Sequence, residues 1–464
     1  MDRKWLVFTA VGVGAFMSAL DSSIVNTILP VVTSALKSDV ASIEWVVTVY
    51  LLVISGLLLT FGRLGDLRGN RTVYLLGFVV FISGSALCGL SPSAWALVGF
   101  RALQAVGAAM LYSNTPAILT KNFPAEQRGQ ALGMQAMMTY IGLSVGPSLG
   151  GWLSDVFTWR AVFYINVPIC MLALGLSLRY IPVEKLPEHG ERFDTVGAAT
   201  FTAGLVALLL ALNQGHEWGW ASLPVLGSAF AAVILLAAFL RIELYVKSPM
   251  LDLSLFGNRL FSASTLSAVL NYMCLYSVLF LLPFYLIQGR GLNAAQAGLV
   301  LTAQPLLMAV SAPLSGTLSD RIGSRLPGTL GMAIQAVGLF TLSRVGATAP
   351  YSMVVLGLAI TGLGMGFFSS PNNSALMGAA PRHRQGIASG VLATARNVGM
   401  VLGVGLAGAV FTTILPNDTG LTSSPLLFQA VDAGLAAATV LAILGAFTSA
   451  IRGGGAEQER QPAT

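Results

Sequence analysis

Gly62-Arg63-Leu64-Gly65-Asp66-Leu67-Arg68-Gly69-Asn70-Arg71 is met a second time, in weaker form, as Gly316-Thr317-Leu318-Ser319-Asp320-Arg321-Ile322-Gly323-Ser324-Arg325. The glycines at 62 and 69, Leu64, Asp66 and Arg71 are kept as Gly316, Gly323, Leu318, Asp320 and Arg325. Each copy follows one long apolar run and precedes another. Further on, Pro124, Gly129, Ala131 and Gly133 recur as Pro381, Gly386, Ala388 and Gly390. Two separated blocks repeating in nearly one register mark a duplicated chain, a common construction among membrane transporters.

Composition points the same way. Of 464 residues, 55% are hydrophobic and 9% charged, against about 25% charged in a soluble domain. A water-soluble fold of this size is excluded. A membrane span needs ~20 apolar residues, and the apolar runs predict fourteen: 5–35, 42–62, 71–90, 93–120, 128–153, 159–180, 194–213, 220–241, 259–288, 293–318, 326–343, 349–378, 385–414 and 427–450. The expected fold is all-α and polytopic. Spans one to six correspond to nine to fourteen across the duplication, which leaves the pair near 194–241 as an insertion. The expected organisation is an N-terminal six-helix bundle over 1–181, a linker with two inserted helices over 182–255, a C-terminal six-helix bundle over 256–452 and a short tail over 453–464.

The few charges sort by side. Loops on the side of the N-terminus hold most of the 25 Lys and Arg, whereas the opposite loops hold Lys37, Arg160, Arg290 and Arg344. The positive-inside rule then places both termini in the cytoplasm. The net charge of +6 is therefore topological, and no basic run is dense enough for nucleic acid. Cys88, Cys170 and Cys274 sit in apolar stretches without a paired spacing, so core thiols are expected rather than a disulfide or metal site. The first apolar run is too long for a signal peptide and reads as a retained span.

Within the block at 62–71, the glycines permit a tight turn and close backbone approach. Asp66 can pair with a neighbouring arginine or cap a helix N-terminus, worth roughly 0.3–1 kcal/mol. A charge cluster of this kind can lock two halves together and release them. The block resembles the signature loop of the major facilitator superfamily between spans two and three, and its copy at 316–325 fits that family as well. The resemblance implies two six-helix bundles with a substrate cavity between them, and a gating role for Gly62, Asp66, Arg71 and Asp320.

Charges inside spans are costly and usually functional. Asp21 lies about 24 Å along the first helix from Trp5, at ~1.5 Å per residue. With Ser18, Ser22 and Asn26 it forms a polar stripe that should face a cavity. Arg101, well inside the fourth span, is the obvious counter-charge. The segment Arg101-Ala-Leu-Gln104 resembles the superfamily's arginine segment in this span, which implies proton transfer for Arg101 with Gln104 beside it. Arg396 is a second cation inside a span, with no acidic partner evident in the sequence; an anion contact and a packing role are both open for it. In the fifth span, Gly142, Gly146 and Gly150 make one small face for close helix packing, and Pro147 can kink the helix. The duplicate keeps Gly399, Gly403 and Ala407 but has Val404 at the proline position. Gly146-Pro147-Ser-Leu-Gly150-Gly151 resembles the exporters' signature of this superfamily and implies outward transport.

The stretch from Leu20-Asp21 to Pro30, together with Trp159-Arg160-Ala-Val-Phe163-Tyr-Ile-Asn166-Val-Pro168, resembles the fourteen-span drug:proton antiporter family over nearly the whole chain. Departures are Ser23 for threonine and, before Leu29, Ile28 for alanine. Some relatives that export divalent organic cations carry an extra acid in span ten, and 293–318 holds none. The resemblance implies a multidrug efflux transporter: a proton-coupled antiporter of amphipathic small molecules such as antibiotics or biocides, with Asp21 and Arg101 in proton coupling. Candidate cavity residues are Asn26, Gln104, Tyr112, Asn114, Tyr140, Asn271, Tyr272, Phe284, Phe368 and Arg396. A lipid or lipid-linked metabolite flippase and a membrane sensor on the same scaffold remain as alternatives. An enzyme is not expected, since the three histidines form no catalytic constellation. No cofactor or metal is expected beyond the proton as coupling ion. Expected partners are the small substrate, protons and membrane lipids, around a monomer in the bacterial cytoplasmic membrane.

Overall fold

The computed structural model describes residues 2–38, 40–184, 193–219, 221–246, 249–292, 294–414 and 425–452. The expected tail at 453–464 and the middle of the connector near 185–192 lie outside them. The described residues are helical, with no strand among them. The first half comprises α1 (Arg3–Ala35), α2 (Val40–Arg68), α3 (Asn70–Gly89), α4 (Ala94–Asn122), α5 (Arg128–Val156), the single turn α6 (Ala161–Tyr164) and α7 (Asn166–Tyr180). Next come α8 (Thr195–Trp218) and α9 (Leu223–Tyr245). The second half comprises α10 (Arg259–Pro283), the short α11 (Ala294–Leu301), α12 (Ala303–Ile322), α13 (Arg325–Leu342), α14 (Tyr351–Ala379), α15 (Gln385–Ile414) and α16 (Pro425–Ala450).

Twelve helices among the described residues are long and apolar enough to cross a membrane. Two of the fourteen expected spans, α5 and α13, do not reach that apolarity. α5 carries Gln130, Gln135 and a row of glycines, and α13 is only 18 residues long and begins Arg-Leu-Pro-Gly. Both are nonetheless packed within the bundle, where polar and small residues meet other helices rather than hydrocarbon.

Small residues set the closest helix contacts. A Cβ on Gly142 would lie 2.5 Å from the Phe16 carbonyl oxygen, one on Gly146 1.8 Å from Ser23 Oγ, and one on Gly150 2.8 Å from Ile24. The expected glycine face of α5 is thus the surface laid against α1. In the second half, Gly399 and Gly403 meet the Val269 and Met273 carbonyl oxygens of α10 at 2.5 and 2.4 Å in the same sense. Gly151 has nothing within 4 Å of such a Cβ, so it stands off this face; one residue further along the helix turns it by ~100°.

The added pair docks beside both halves. Thr202 Oγ1 on α8 donates to the Gly56 carbonyl of α2 at 2.9 Å, and Phe201 and Leu205 share an apolar cluster with Leu392 and Ala395 of α15. Of the twelve apolar helices α9 has the highest mean hydropathy, 2.4, and is the least buried. Its free face carries Leu226, Phe230, Val233 and Leu240, a surface suited to lipid tails. The three cysteines are buried and free, as expected of core thiols.

Candidate functional site: a buried ion pair, two helix-capping aspartates and a cavity

Asp21 is fully buried. Its Oδ2 accepts from Arg101 Nη1 at 2.9 Å, and its Oδ1 accepts from Gln104 Nε2 at 3.0 Å and Asn166 Nδ2 at 2.7 Å. Arg101 Nη1 also donates to Gln104 Oε1 at 2.7 Å. Ser85 Oγ accepts from Gln104 and Asn166 and donates to the Phe163 carbonyl. Arg101 and Gln104 share one face of α4 because they are three residues apart. The site therefore gathers α1, α3, α4 and α7 around one carboxylate. A charge at the centre of a bilayer costs roughly 2.5–3.5 kcal/mol on insertion scales, and neutralisation with full hydrogen bonding is what makes the pair tolerable here.

Tyr50 of α2 closes this network on one side. The Arg101 guanidinium stacks over its ring at 3.8 Å. Tyr50 also lines a cavity. That cavity lies between the halves: α1, α2, α4 and α5 contribute Ser22, Tyr50, Tyr112 and Thr139, and α10 and α15 contribute Tyr276 and Arg396. Leu143 lines it too, and Pro147 lacks the N–H that would satisfy the Leu143 carbonyl in a regular helix.

At the end of the bundle where α1 begins and α16 finishes, the two copies of the opening pattern do the same thing in opposite directions. Asp66, at the end of α2, accepts from the backbone N–H groups of Gly386 and Ile387 at 2.7 and 2.8 Å. Asp320, at the end of α12, accepts from Gly129 and Gln130 at 2.8 Å each. Each aspartate thus caps the first turn of a helix in the other half, α15 or α5, satisfying orphan N–H donors and meeting the positive end of the helix dipole. Beneath each cap, two glycines touch through backbone. A Cβ on Gly386 would sit 2.3 Å from the Gly62 carbonyl oxygen, and one on Gly316 2.2 Å from that of Gly129. Arg71 points elsewhere, donating to the Leu178 carbonyl at the end of α7 at 3.0 Å.

The expected cavity residues divide. Tyr112 and Arg396 line the cavity. Tyr140 and Tyr272 belong to an adjoining buried cluster with Met308 and Met365, and Arg396 lies over the Tyr272 ring at 5.0 Å. Gln104 is committed to the ion pair instead of the cavity. Asn114 is a correction: it is fully buried, donates to the Phe61 and Met110 carbonyls and accepts from Asn70 at 2.8 Å, which ties α4 to the opening pattern. Asn271 likewise faces α13, donating to Gln335 Oε1 at 2.8 Å. Phe284 stacks with Phe280 and Phe411, and Phe368 is core beneath the Arg452 guanidinium, itself bonded to Asn372. The Asn26 side chain lies outside the described residues. Sequence reasoning missed Tyr50, Ser85 and Asn166 as site residues. Asn166 carried a signal, being the polar position of Trp159-Arg160-Ala-Val-Phe163-Tyr-Ile-Asn166.

The sequence matches the Major Facilitator Superfamily over residues 11–404. The chain belongs to that superfamily. It is 36% identical to the riboflavin transporter RibZ of Clostridioides difficile (strain 630), over 89% of this chain and 90% of that one. It is 32% identical to the multidrug resistance protein Stp of Mycobacterium tuberculosis (strain ATCC 25618 / H37Rv), over 89% and 77%. With the tetracenomycin C resistance and export protein of Streptomyces glaucescens it shares 31% identity over 89% and 76%. The human organic anion transporter MFSD10 (TETRAN) has the same fold, with a TM-score of 0.69 at 16% identity, covering 97% of this chain and all of that one. This superfamily member is thus a multi-pass, membrane-embedded transporter.

Proposed function

We propose that this transporter is a proton-coupled antiporter exporting amphipathic small molecules across the bacterial cytoplasmic membrane. The carrying observation is the buried Asp21–Arg101 pair separated from the cavity by one aromatic ring, Tyr50. In this reading Asp21 takes a proton when the cavity faces outward and releases it inward as the halves rock around the site. Protonation cancels the carboxylate charge, loosens its hold on Arg101 and shifts Tyr50 against the cavity, which links proton and substrate. Each charge moved down the membrane potential gains ~2.3 kcal/mol per 100 mV, enough for a roughly fiftyfold gradient. The names of Stp and the tetracenomycin exporter support outward drug transport, while that of RibZ supports a planar heteroaromatic substrate. No enzymatic step is invoked.

All fourteen long helices cross the membrane in this proposal, as a six-helix bundle over 1–181, two added helices within 182–255 and a second bundle over 256–452. The basic end, with the Asp66 and Asp320 caps, faces the cytoplasm, so the described conformation is closed on that side. Topology has a direct test, because the native thiols are buried while Lys37 and Arg325 are exposed. A membrane-impermeant maleimide added to intact cells should label Lys37→Cys and spare Arg325→Cys. The opposite pattern would reverse the orientation. Function is tested in proteoliposomes: adding a substrate drug to the purified transporter should release protons in proportion to drug transported. Drug movement indifferent to an imposed pH difference would end the antiport reading.

A further inference from the structure

Arg101 of α4 and Arg396 of α15 both lie within long apolar helices, and their charges are treated differently. Arg101 is buried and neutralised by Asp21 at 2.9 Å. Arg396 is half-buried, lines the cavity, and among the described residues makes no ion pair or hydrogen bond; its one recorded contact of this kind is the face of Tyr272 at 5.0 Å. It is also the one charged side chain among the described residues lining the cavity. Tyr112, Tyr140, Tyr272 and Tyr276 lie close enough to feel its charge, but a phenol supplies no formal counter-charge.

We infer that Arg396 is a substrate-binding residue that takes an anionic or strongly hydrogen-bond-accepting group of the ligand, while the surrounding tyrosines hold an attached aromatic ring. A guanidinium presents five N–H donors in a planar fork suited to carboxylate, sulfonate or phenolate oxygens. The contact with the Tyr272 ring face at 5.0 Å uses none of these donors in a hydrogen bond, so they remain free for a ligand. An uncompensated positive charge in a low-dielectric cavity also repels cationic ligands of the same shape. Among the described residues no acidic side chain lines the cavity to reverse that preference. The class of substrate is therefore acidic or neutral aromatic compounds rather than the quaternary ammonium and diamidine cations.

This inference rests on the export reading for its biological sense, and its test is equilibrium binding, which needs no transport. Two xanthene dyes of similar shape serve as probes: fluorescein, anionic at neutral pH, and tetramethylrhodamine methyl ester, cationic. Binding is read by fluorescence anisotropy to the purified protein in nanodiscs. The wild-type protein should prefer fluorescein. Arg396→Gln should weaken fluorescein on the order of tenfold or more, the scale of a charge-assisted contact, while rhodamine binding holds or strengthens. Arg396→Lys should retain a partial preference, and the melting temperatures of both variants should stay near wild type. A wild type that binds rhodamine as well as or better than fluorescein overturns the inference, and so does an Arg396→Gln protein with an unchanged dye preference. An Arg396→Gln protein that loses both dyes and melts much lower assigns Arg396 to packing and overturns it too. Normal dye selectivity in a protein that drives no drug against a gradient sinks the antiport reading and leaves this inference standing.

Discussion

Asp21→Asn abolishes uphill transport: in proteoliposomes with an imposed pH difference, drug accumulation falls from up to about fiftyfold to equilibration, while downhill exchange persists. The reason is the arrangement around the carboxylate. Asparagine can still accept from Gln104 and Asn166 through its carbonyl oxygen, but it carries no proton to exchange and leaves Arg101 without its counter-charge at a site 1% exposed. Removing one partner of a buried pair typically costs about 3–5 kcal/mol, so the single variant should also melt lower. The paired variant Asp21→Asn with Arg101→Gln removes both charges. It should recover most of the lost stability and none of the coupling. Proton-driven accumulation in either variant would remove Asp21 from the mechanism, whereas loss of stability alone would leave the pair a structural one.

Gly386→Val should cut transport to below about a tenth of wild type by preventing closure at the basic end. Its Cβ would sit 2.3 Å from the Gly62 carbonyl oxygen and 2.6 Å from Asp66 Oδ1, so backbone must part or the cap must break. Overpacking of this kind costs about 1–3 kcal/mol, which shifts a closed-to-open ratio by roughly 5- to 150-fold. The readout is a cysteine at Ala393, which lines the cavity, probed from the basic end in inverted vesicles. Maleimide labelling of Ala393→Cys should rise severalfold in the Gly386→Val background, and the mirror substitution Gly129→Val should act alike because Gly129 meets Gly316 in the other pair. Unchanged labelling with full transport would show that the glycine contacts do not hold the closed state.

Asp66 and Asp320 were both legible in the sequence as members of a duplicated pattern, and capping was among the roles open to them. Which helix each would cap was not legible. Nothing in Gly62–Arg71 states that Gly386 and Ile387, more than 300 positions away, will present their N–H groups to it. Arg71, part of the same pattern, turned to Leu178 in its own half, because a long side chain at a helix start can reach several carbonyls and only packing selects one. Likewise the glycine row of α5 announced a close contact, but its partner, α1, followed from the assembled bundle.

The polar residues within spans divide most sharply. Asn114, Asn271 and Tyr112 looked equivalent as polar groups in apolar helices, yet two tie neighbouring helices together and one faces the cavity. A polar side chain in a membrane helix must be satisfied somewhere, and its own sequence does not say whether a neighbour or a cavity does so.

The sequence by itself determined the helices, their duplication, their sorting by charge and the identity of the few charged groups carried inside spans, because periodicity, apolar length and cost of burial are local properties. Only the tertiary structure decided which of those charges were neutralised. Asp21 meets Arg101 while Arg396 is left facing the cavity, since pairing is fixed by distances between helices that are remote in the chain.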